Sequence, residues 1–343
     1  MSDFADRLIA WHAHSGRHDL PWQNTTDPYR IWLSEIMLQQ TQVDTVIPYY
    51  ARFLARCPTL ASLADAPADD VMALWAGLGY YARARNLHAC AKQVMSEFGG
   101  EFPQTPEQIA TLPGIGRSTA AAIAAFAFGQ RAAILDGNVK RVLCRVFGVE
   151  GFPGSVPVER KLWDLAEDLL PKKNIQTYIQ AQMDLGATVC VRGTPKCERC
   201  PMAEICVAYQ TGRTGQLPEA RPRKKPPVRS TQMAVVTDGE QVLLVQRPPK
   251  GIWGGLLSLP EFESGMAPED WWQAFAGDVA VTVSALPQLR HTFTHYVLDI
   301  SPVRFEVGDL GPMESLEAGR VVTFGEAQEL GLPKPVSRIL GFG

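Results

Sequence analysis

Hydrophobic and polar positions follow two different periodicities along the chain. Up to about residue 210, Ala, Leu, Ile and Val recur at helical spacing, in runs that Pro and Gly interrupt. One helix is predicted to begin at Asp27-Pro28, an N-cap followed by proline at the first helical position, and to continue to about Val46. Another is predicted to follow Gly116 through the Ala-rich stretch 119–128. The first part of the chain is therefore predicted to be all-α.

Beyond residue 229 the pattern becomes that of β-strands. Two apolar runs flank an Asp-Gly turn in residues 233–247, which predicts a hairpin, and residues 295–307 and 320–324 predict further strands. Between the two regions, residues 213–229 contain four prolines and a cluster of bases, a composition typical of a semi-extended linker. The predicted organisation is an all-α region over 1–212, a linker over 213–229 and a smaller α/β domain over 230–343.

Length and charge narrow the possible functions. The 343 residues, 46% of them hydrophobic, suffice for two or three domains with apolar cores. No stretch is long enough to cross a membrane and no signal peptide is recognisable, so we expect a cytoplasmic protein. The net charge of −3 argues against a nucleic-acid binder, but it is unevenly distributed: residues 1–229 carry 26 Lys and Arg against 22 Asp and Glu, whereas residues 230–343 carry 7 against 14. The bases concentrate in 112–147 and 190–229, so a basic face for a polyanion is possible on this acidic chain.

Four of the seven cysteines lie within seventeen residues, at Cys190, Cys197, Cys200 and Cys206. The spacing C-x6-C-x2-C-x5-C indicates a metal centre, because thiolates are soft ligands that need positive charge nearby. Disulfides are not expected without a secretory signal. Zinc is the alternative, although zinc sites usually pair two short C-x-x-C units across a longer spacer. The loop closely resembles the 4Fe–4S loop of the endonuclease III and MutY glycosylases, which favours an iron–sulfur cluster.

The sequence Leu-Pro-Gly-Ile-Gly at 112–116 lies between two predicted helices. Two glycines permit a tight turn whose backbone N–H groups point outward at a helix N-terminus, where they can bind a phosphate oxygen without reading a base. A Gly-x-Gly sequence alone usually marks a turn only. The complete motif matches the helix-hairpin-helix of DNA-binding proteins.

Five segments together resemble the MutY-type adenine DNA glycosylases of the helix-hairpin-helix superfamily, and with the C-terminal domain the similarity covers nearly the whole chain. The segments are WLSEIMLQQTQV (32–43), GLGYYARARNL (77–87), LPGIGRSTA (112–120), LDGNVKRV (135–142) and the cysteine loop. The resemblance implies a six-helix module over about 22–132, and an iron–sulfur module formed by the N-terminal helix and about 133–212. It also implies a bacterial-type enzyme that acts as a monomer on double-stranded DNA.

Two carboxylates are the candidate catalytic groups. Glu35 lies on the predicted helix near Ile31, Trp32 and Leu38, and apolar surroundings disfavour its charged form and raise its pKa. In the family, the corresponding glutamate protonates N7 of adenine. Asp136 resembles the second carboxylate, which stays ionised and stabilises an oxocarbenium-like sugar, as in retaining glycosidases. Without the resemblance, a solvated helix carboxylate and a helix cap would be the simpler interpretations.

Other roles follow from the resemblance alone. Asn138 and Tyr80 would orient the sugar and phosphate, and Gln40 and Tyr80 would enter the base stack when the adenine flips out. The remaining residues expected to contact DNA are Leu112, Gly114, Gly116, Arg83, Arg85 and Lys140, with Arg192, Lys196 and Arg199 in the cysteine loop. The candidates for the adenine pocket are Trp22, Leu38 and Gln180.

Ser118 occupies the position at which bifunctional relatives of the endonuclease III type carry a lysine. That lysine forms a Schiff base with the sugar and permits strand cleavage. A serine hydroxyl cannot form an imine, so the enzyme is predicted to be monofunctional. Some MutY relatives have a catalytic tyrosine here, a role that serine does not supply.

The C-terminal domain resembles a nudix domain around 251–262. Only Glu261, Glu263, Glu269 and Asp270 follow, without the R-E-x-x-E-E spacing that holds Mg²⁺, so no pyrophosphohydrolase activity is expected. Residues 290–295 resemble the MutY loop that reads 8-oxoguanine, through Phe293, Thr294 and His295. The family usually has serine at the position of Thr294, which keeps the hydroxyl and adds a methyl group. An edge strand without a ligand is the simpler interpretation.

These observations predict a base-excision-repair enzyme that removes adenine mispaired with 8-oxoguanine or guanine. Two alternatives stay open. The first is an endonuclease III-like glycosylase and lyase for damaged pyrimidines, against which Ser118 and the C-terminal domain argue. The second is a damaged-DNA-binding protein without catalytic activity, against which the presence of both Glu35 and Asp136 argues.

Overall fold

The computed structural model describes residues 2–221, 226–248, 251–293, 295–311, 313 and 319–342. It divides into two compact units. The first comprises Met1–Ala66 and Arg85–Arg223, and the second comprises Pro67–Ala84 and Lys224–Gly343. Residues 67–84 belong to the helical region by sequence, but in space they group with the C-terminal residues. The domain boundaries predicted above stay predictions.

Helices account for the regular structure of residues 2–221. They are α1 (Ser2–Ser15), α2 (Pro28–Leu38), α3 (Val43–Arg56), α4 (Leu60–Asp65), α5 (Ala68–Trp75), α6 (Ala82–Glu97), α7 (Pro106–Ile109), α8 (Arg117–Phe128), α9 (Gly137–Val146), α10 (Val156–Asp168), α11 (Ile175–Asp184) and α12 (Val207–Gln210). A π-helix (Leu185–Val189) continues α11, and two 3₁₀ helices (Cys197–Arg199 and Ala203–Ile205) lie in the cysteine loop. This confirms the all-α prediction for the first region.

Helix α8 is central to the first unit and shows why its sequence is rich in alanine. It runs from Arg117 to Phe128 as predicted, with Gly116 at the N-cap and Gly129 in a left-handed conformation at the C-cap. Its residues 120–125 are all buried, and it packs against α2, α7 and α11. Small side chains permit this close approach of several helices, and the core continues through α1, α9 and α10.

The predicted helix from Asp27 to about Val46 begins correctly but is wrong in its end. Asp27 accepts a hydrogen bond from the backbone N–H of Tyr29, and Pro28 occupies the first turn. The helix stops at Leu38, and Gln40 takes a left-handed backbone with φ 59°. A new helix, α3, begins at Val43. The hydrophobic periodicity continues across the break, so periodicity alone could not reveal it.

The second unit contains an eight-stranded mixed sheet. Its strands are β1 (Val228–Thr237), β2 (Gln241–Gln246), β3 (Leu257–Ser258), β4 (Glu261–Phe262), β5 (Thr282–Ala285), β6 (Leu289–Thr292), β7 (Val297–Glu306) and β8 (Gly319–Thr323). The central path runs β3-β2-β1-β7-β5, in which β1 and β7 are parallel and the other pairs antiparallel. The Asp-Gly hairpin and the two later strands are thereby confirmed. Strand β1 starts at Val228, so the last two residues of the predicted linker are strand residues.

Both faces of the sheet are buried. Along β1, Met233 and Val235 join one core, while Ala234 and Val236 join the other. Helices α14 (Phe324–Glu329) and α15 (Lys334–Ile339) contribute to the first core, and α13 (Pro268–Ala276) contributes to the second. Two-sided burial explains why the strands read as continuous apolar runs instead of alternating patterns. Among the described residues, no helix is long and apolar enough to cross a membrane.

Candidate active site

Glu35 lies in the last part of α2, among buried neighbours. Ile31, Trp32, Ile36 and Met37 are each at most 3% exposed, and Glu35 itself is partly buried. Burial raises the pKa of Glu35 to about 7, and the negative charge of Asp136 raises it in the same direction. The carboxyl therefore holds a proton close to neutral pH, which is what a general acid requires.

Asp136 is the N-cap of α9. Its Oδ1 accepts a hydrogen bond from the backbone N–H of Val139 at 2.8 Å. Burial raises the pKa of Asp136, while hydrogen bonds from the backbone of Val139 and Asn138 and the charges of Arg141 and Lys140 oppose that rise. The capping interpretation and the catalytic one are thus compatible, since the same donors that satisfy the cap also favour the ionised carboxylate.

Burial raises the pKa of both carboxylates, but the groups around them differ. Both influences on Glu35, burial and the charge of Asp136, favour its neutral form. Asp136 in contrast has backbone donors and two cations that favour its charged form. Hydrogen-bond donors and cations close to Asp136 are the groups that would stabilise its ionised form.

Asn138 is held from two sides. Its Oδ1 accepts a hydrogen bond from Arg141 Nη2 at 2.7 Å. The π-helix approaches so closely that a Cβ on Gly186 would lie 2.5 Å from the Cβ of Asn138. Gly186 is therefore required for this approach, which fixes Asn138 next to the capping Asp136.

Arg141 and Arg145 are functional candidates that the sequence analysis missed. Both are buried on α9, one turn apart. Arg141 donates to the carbonyls of Gly186 and Cys190 at 2.7 Å each, besides its bond to Asn138. Arg145 donates to the carbonyl of Val191 at 2.8 Å and approaches Cys190 Sγ at 3.4 Å. Two arginines spaced by four in the otherwise apolar run RVLCRV (141–146) are a detectable signal, because buried cations need fixed partners.

Tyr80 and Arg83 both lie in the second unit: Tyr80 precedes α6, and Arg83 is in the first turn of that helix. Tyr80 has a left-handed φ of 51° and is 51% exposed. Arg83 is only 9% exposed, donates to the carbonyls of Leu78 and Gly79 at 3.1 Å each, and lies over the rings of Trp75 and Tyr80. Its guanidinium is therefore held by the neighbouring segment, and the predicted phosphate contact of Arg83 stays a prediction. Arg85 is partly buried and lies in the first turn of α6.

The hairpin at 112–116 forms as predicted between α7 and α8. Gly114 has φ 76°, and a Cβ there would lie 2.7 Å from Asn86 Cβ, so only glycine fits. A Cβ on Gly116 would meet nothing within 4 Å, so the N-terminus of α8 is open. Leu112 is 2% exposed, so its side chain is buried, and its predicted DNA contact stays a prediction.

Arg117 and Ser118, which directly follow the hairpin, contact other segments of the first unit. Ser118 Oγ accepts a hydrogen bond from the backbone N–H of Leu135 at 2.9 Å, directly before Asp136. Arg117 forms an ion pair with Glu167 and lies 3.8 Å from the centre of the Trp163 ring. Ser118 thus has a structural bond to the segment that carries the second carboxylate.

The other residues predicted to contact DNA differ in their exposure and in whether they form ion pairs. Gln40 is exposed at the break between α2 and α3. Lys140 forms an ion pair with Glu159, so it is not a free cation. In the cysteine loop, Arg192, Lys196 and Arg199 are exposed.

The three candidates for the adenine pocket all lie in the first unit. Trp22 is 8% exposed and packs edge-on against Tyr50, and Leu38 is the last residue of α2. Gln180 donates to Asp184 at 2.9 Å. Asp184 is fully buried and also accepts two bonds from the Arg17 guanidinium, a network that the sequence did not reveal.

The four clustered cysteines line one cavity together with Arg145 and apolar residues. Cys190 and Cys206 are buried, and Cys197 and Cys200 are partly buried. Burial raises the pKa of Cys200 to about 12, and the charges of the other three thiolates add to that rise. Among the described residues, no three His, Cys, Asp or Glu side chains converge on one position for a single metal ion. Four soft sulfur donors that line one cavity are a donor set suited to a metal centre.

The predicted lesion loop lies between β6 and β7. Phe293 donates its backbone N–H to the carbonyl of Tyr296 at 2.9 Å, and its ring lies 6.0 Å from that of His295. Thr294 lies outside the described residues. Of the acidic residues weighed for Mg²⁺, Glu261 forms an ion pair with Arg247, and Glu269 and Asp270 lie in the first turn of α13.

Comparison with known proteins decides the family. A curated adenine DNA glycosylase from Buchnera aphidicola subsp. Baizongia pistaciae is 35% identical over 339 residues, which covers 98% of this chain and 95% of that protein. The chain belongs to the adenine DNA glycosylase family. It is therefore a DNA glycosylase. The human adenine DNA glycosylase is 37% identical to it, in an alignment that covers 87% of this chain and 66% of the human protein.

Domain and structure comparisons agree with this family. Residues 33–168 match the HhH-GPD superfamily of base excision DNA repair proteins, and residues 231–341 match the NUDIX domain. A thermostable thymine-DNA glycosylase aligns with a TM-score of 0.56 and 32% identity, over 61% of this chain and 95% of its own. An endonuclease III in a non-covalent DNA complex aligns with a TM-score of 0.53 and 21% identity, over 61% of this chain and 94% of its own, which shows the shared fold. The predicted fold, a helix-hairpin-helix glycosylase body with a nudix-like domain, is thereby confirmed.

Proposed function

We propose that this glycosylase hydrolyses the N-glycosidic bond of adenine mispaired with 8-oxoguanine or guanine in duplex DNA, and that it does not cleave the strand. The observation that carries the proposal is the pair Glu35 and Asp136, of which Glu35 has a pKa raised to about 7 by burial and by the charge of Asp136. The adenine DNA glycosylase family supports the choice of base.

In this proposal Glu35 donates its proton to N7 of adenine, so that the base leaves as a neutral group. The bond between the base and the sugar C1′ breaks, and the positive charge on the sugar is stabilised by ionised Asp136, as in retaining glycosidases. Water then adds to C1′, and its proton returns to Glu35. Asn138 and Tyr80 orient the sugar and phosphate, and the bonds that hold Asn138 support a fixed role for it.

The adenine must leave the stack before it can react, at a cost of a few kcal/mol. We propose that Gln40 and Tyr80 enter the base stack where the adenine has left it, and the exposure of both side chains supports this. Trp22, Leu38 and Gln180 would line the pocket for the flipped base. The hydrogen bond between Gln180 and buried Asp184 supports a preset amide orientation there.

DNA would be bound mainly through its phosphates. The open N-terminus of α8 at Gly116 and the turn at Gly114 supply backbone donors, and Arg85, Arg192, Lys196 and Arg199 supply charge. Lys140 could join them only by giving up its ion pair with Glu159. Affinity should then fall with salt, by a log–log slope of about −0.9 per neutralised phosphate.

A 4Fe–4S cluster is the proposed cofactor, held by Cys190, Cys197, Cys200 and Cys206. The shared cavity and the thiolate donor set support it, as does the fold shared with an endonuclease III. A cluster at this position would organise the cysteine loop and its cations as a rigid surface. Iron and sulfide analysis of purified protein tests this: about four of each per chain are expected, whereas one zinc per chain would contradict it.

The absence of a lyase lysine supports a monofunctional reaction. Ser118 is bonded to Leu135 and has no amine to form an imine. In the C-terminal domain, Phe293, Thr294 and His295 are the proposed readers of 8-oxoguanine. We further propose that the enzyme acts as a monomer, with a catalytic region over 1–212, a linker over 213–229 and a lesion-recognition domain over 230–343.

Single-turnover reactions on duplexes with labelled adenine opposite 8-oxoguanine, guanine or thymine test the function. Each reaction is analysed with and without alkali. Breaks that need alkali, at adenine opposite the first two bases only, are expected. Nicking without alkali would contradict the monofunctional proposal, and no excision would favour a DNA-binding role.

A further inference from the structure

Trp253 has an unusual backbone in the loop between β2 and β3. Its φ is 54°, in the left-handed region that residues other than glycine rarely adopt. The loop is closed by backbone hydrogen bonds from Gly255 N–H to the carbonyls of Arg247 and Pro248, at 3.2 Å and 3.1 Å. Such a conformation costs free energy and persists only where surrounding contacts determine it, often at functional sites.

The Trp253 ring packs against the loop proposed to read 8-oxoguanine. Its centre lies 5.2 Å from the ring of Phe293 and 5.7 Å from that of His291. Phe293 in turn lies 4.5 Å from His291 and 4.7 Å from Tyr296. The rings of these four residues form one aromatic cluster at the distances of favourable ring pairs.

Arg247 contacts both the ring of Trp253 and the backbone next to it. Its guanidinium lies 5.5 Å from the centre of the Trp253 ring, and its Nε donates to the carbonyl of Ile252 at 3.0 Å. An ion pair with Glu261 on β4 fixes the same guanidinium. A continuous set of contacts therefore leads from the sheet through Arg247 and Trp253 to Phe293.

We propose that Trp253 is a positioning residue for lesion recognition: it fixes the ring of Phe293, and so sets how strongly the enzyme prefers adenine opposite 8-oxoguanine over adenine opposite guanine. This inference rests on the proposed role of Phe293 at that base. The strained backbone and the ring contacts carry it. Trp253 itself is not assigned a contact with DNA.

The test compares excision of adenine opposite 8-oxoguanine with excision opposite guanine, in full-length protein under single-turnover conditions. Trp253→Gly is the main variant, because glycine accepts the left-handed backbone and removes only the ring. It should lower the ratio of the two rates about tenfold, or ~1.4 kcal/mol, and leave the rate opposite guanine within about twofold. Trp253→Phe keeps a ring and should restore most of the ratio.

Phe275→Ala is the matched control. Phe275 is a partly buried aromatic residue that stacks on Trp271 in the other core of the same sheet. This variant should leave the ratio unchanged. Thermal unfolding of each variant separates lost selectivity from lost folding.

Three results would overturn the proposal. An unchanged ratio in Trp253→Gly, or an equal loss on both substrates, would assign Trp253 to stability alone. A ratio about tenfold below wild type in Trp253→Phe would refute the claim that a ring at this position sustains the preference, and this result decides the matter even if the glycine variant does not fold. A wild-type ratio near one would instead refute the proposed lesion recognition, and the role of Trp253 with it.

Discussion

Arg141 Nη2 donates a hydrogen bond of 2.7 Å to Asn138 Oδ1, one turn earlier on α9. The Nε of the same buried guanidinium donates to the carbonyl of Cys190 at 2.7 Å. A single side chain therefore connects a candidate catalytic residue with the first cysteine of the loop. Asp136 caps the same helix, so the position of α9 affects both sites.

Arg141→Lys should slow excision about tenfold or more. Lysine keeps the charge, but its compact ammonium cannot bond Asn138, Gly186 and Cys190 as the planar guanidinium does. A small displacement of groups at the reacting sugar is enough for a loss of this size. The measurement is the single-turnover rate together with DNA affinity, which should change less than about threefold. Arg160→Lys, at an exposed position of α10, is the control, and an equal loss there would contradict the assignment.

Glu35→Gln should abolish excision and leave affinity for mismatched DNA nearly intact. Glutamine has the same shape but no acidic proton, and general acid catalysis contributes roughly 10²–10⁴-fold. Rates under single turnover and binding by gel shift measure the two effects separately. Glu107→Gln, an exposed carboxylate on α7, should change neither. Parallel loss of binding and excision in Glu35→Gln would argue against a chemical role.

The rate of excision should depend on the protonation of Glu35. Because burial and the charge of Asp136 raise the pKa of Glu35 to about 7, the carboxyl is protonated below that pH and ionised above it. Single-turnover rates should be constant below about pH 6 and fall about tenfold per unit above about pH 8. A profile without a descending limb near pH 7 would show that Glu35 is not the acid.

Stability should show the same ionisation. The pKa of Glu35 is about 7 in the folded protein and about 4.3 in the unfolded chain, so the folded state binds this proton more tightly. The contribution of the protonated carboxyl to the free energy of unfolding is therefore complete below about pH 4 and is lost as the pH rises through about 7. Glu35→Gln should therefore raise the free energy of unfolding at about pH 8, by at most ~3.7 kcal/mol. At about pH 4 the two proteins should be nearly equal. Denaturant unfolding at both pH values measures this, and an equal change at both would contradict it.

Ser118→Ala should destabilise the fold by about 1–3 kcal/mol, because the backbone N–H of Leu135 loses its acceptor. Excision should decrease modestly, since the affected segment precedes Asp136. The products should still need alkali for strand breaks. Ser96→Ala is the control, because this exposed hydroxyl bonds only within its own helix. Unfolding of the two variants gives the comparison, and equal stability would deny Ser118 a structural role.

Much of the fold was predictable because its signals are local. Asp27-Pro28 begins α2, the Ala-rich stretch forms α8, and the Asp-Gly turn joins β1 to β2, as the sequence indicates. The end of α2 was mispredicted, because the break at Gln40 depends on one left-handed residue in a sequence that is also compatible with a helix. The burial of Leu112 and Arg83 also depends on neighbours that no local pattern identifies.

The sequence by itself determined the helix caps, the hairpin motif, the strand pattern, the four cysteines and the identity of Glu35 and Asp136 as carboxylates. These follow from backbone preferences and side-chain chemistry within a few residues. Only the tertiary structure decided that the charge of Asp136 reaches Glu35, that Arg141 joins Asn138 to Cys190, and that Trp253 packs against Phe293. Each of these pairings depends on how helices or strands pack. The strength of an electrostatic or hydrogen-bonding contact is set by the distance between the two groups and by their burial, and not by their separation along the chain.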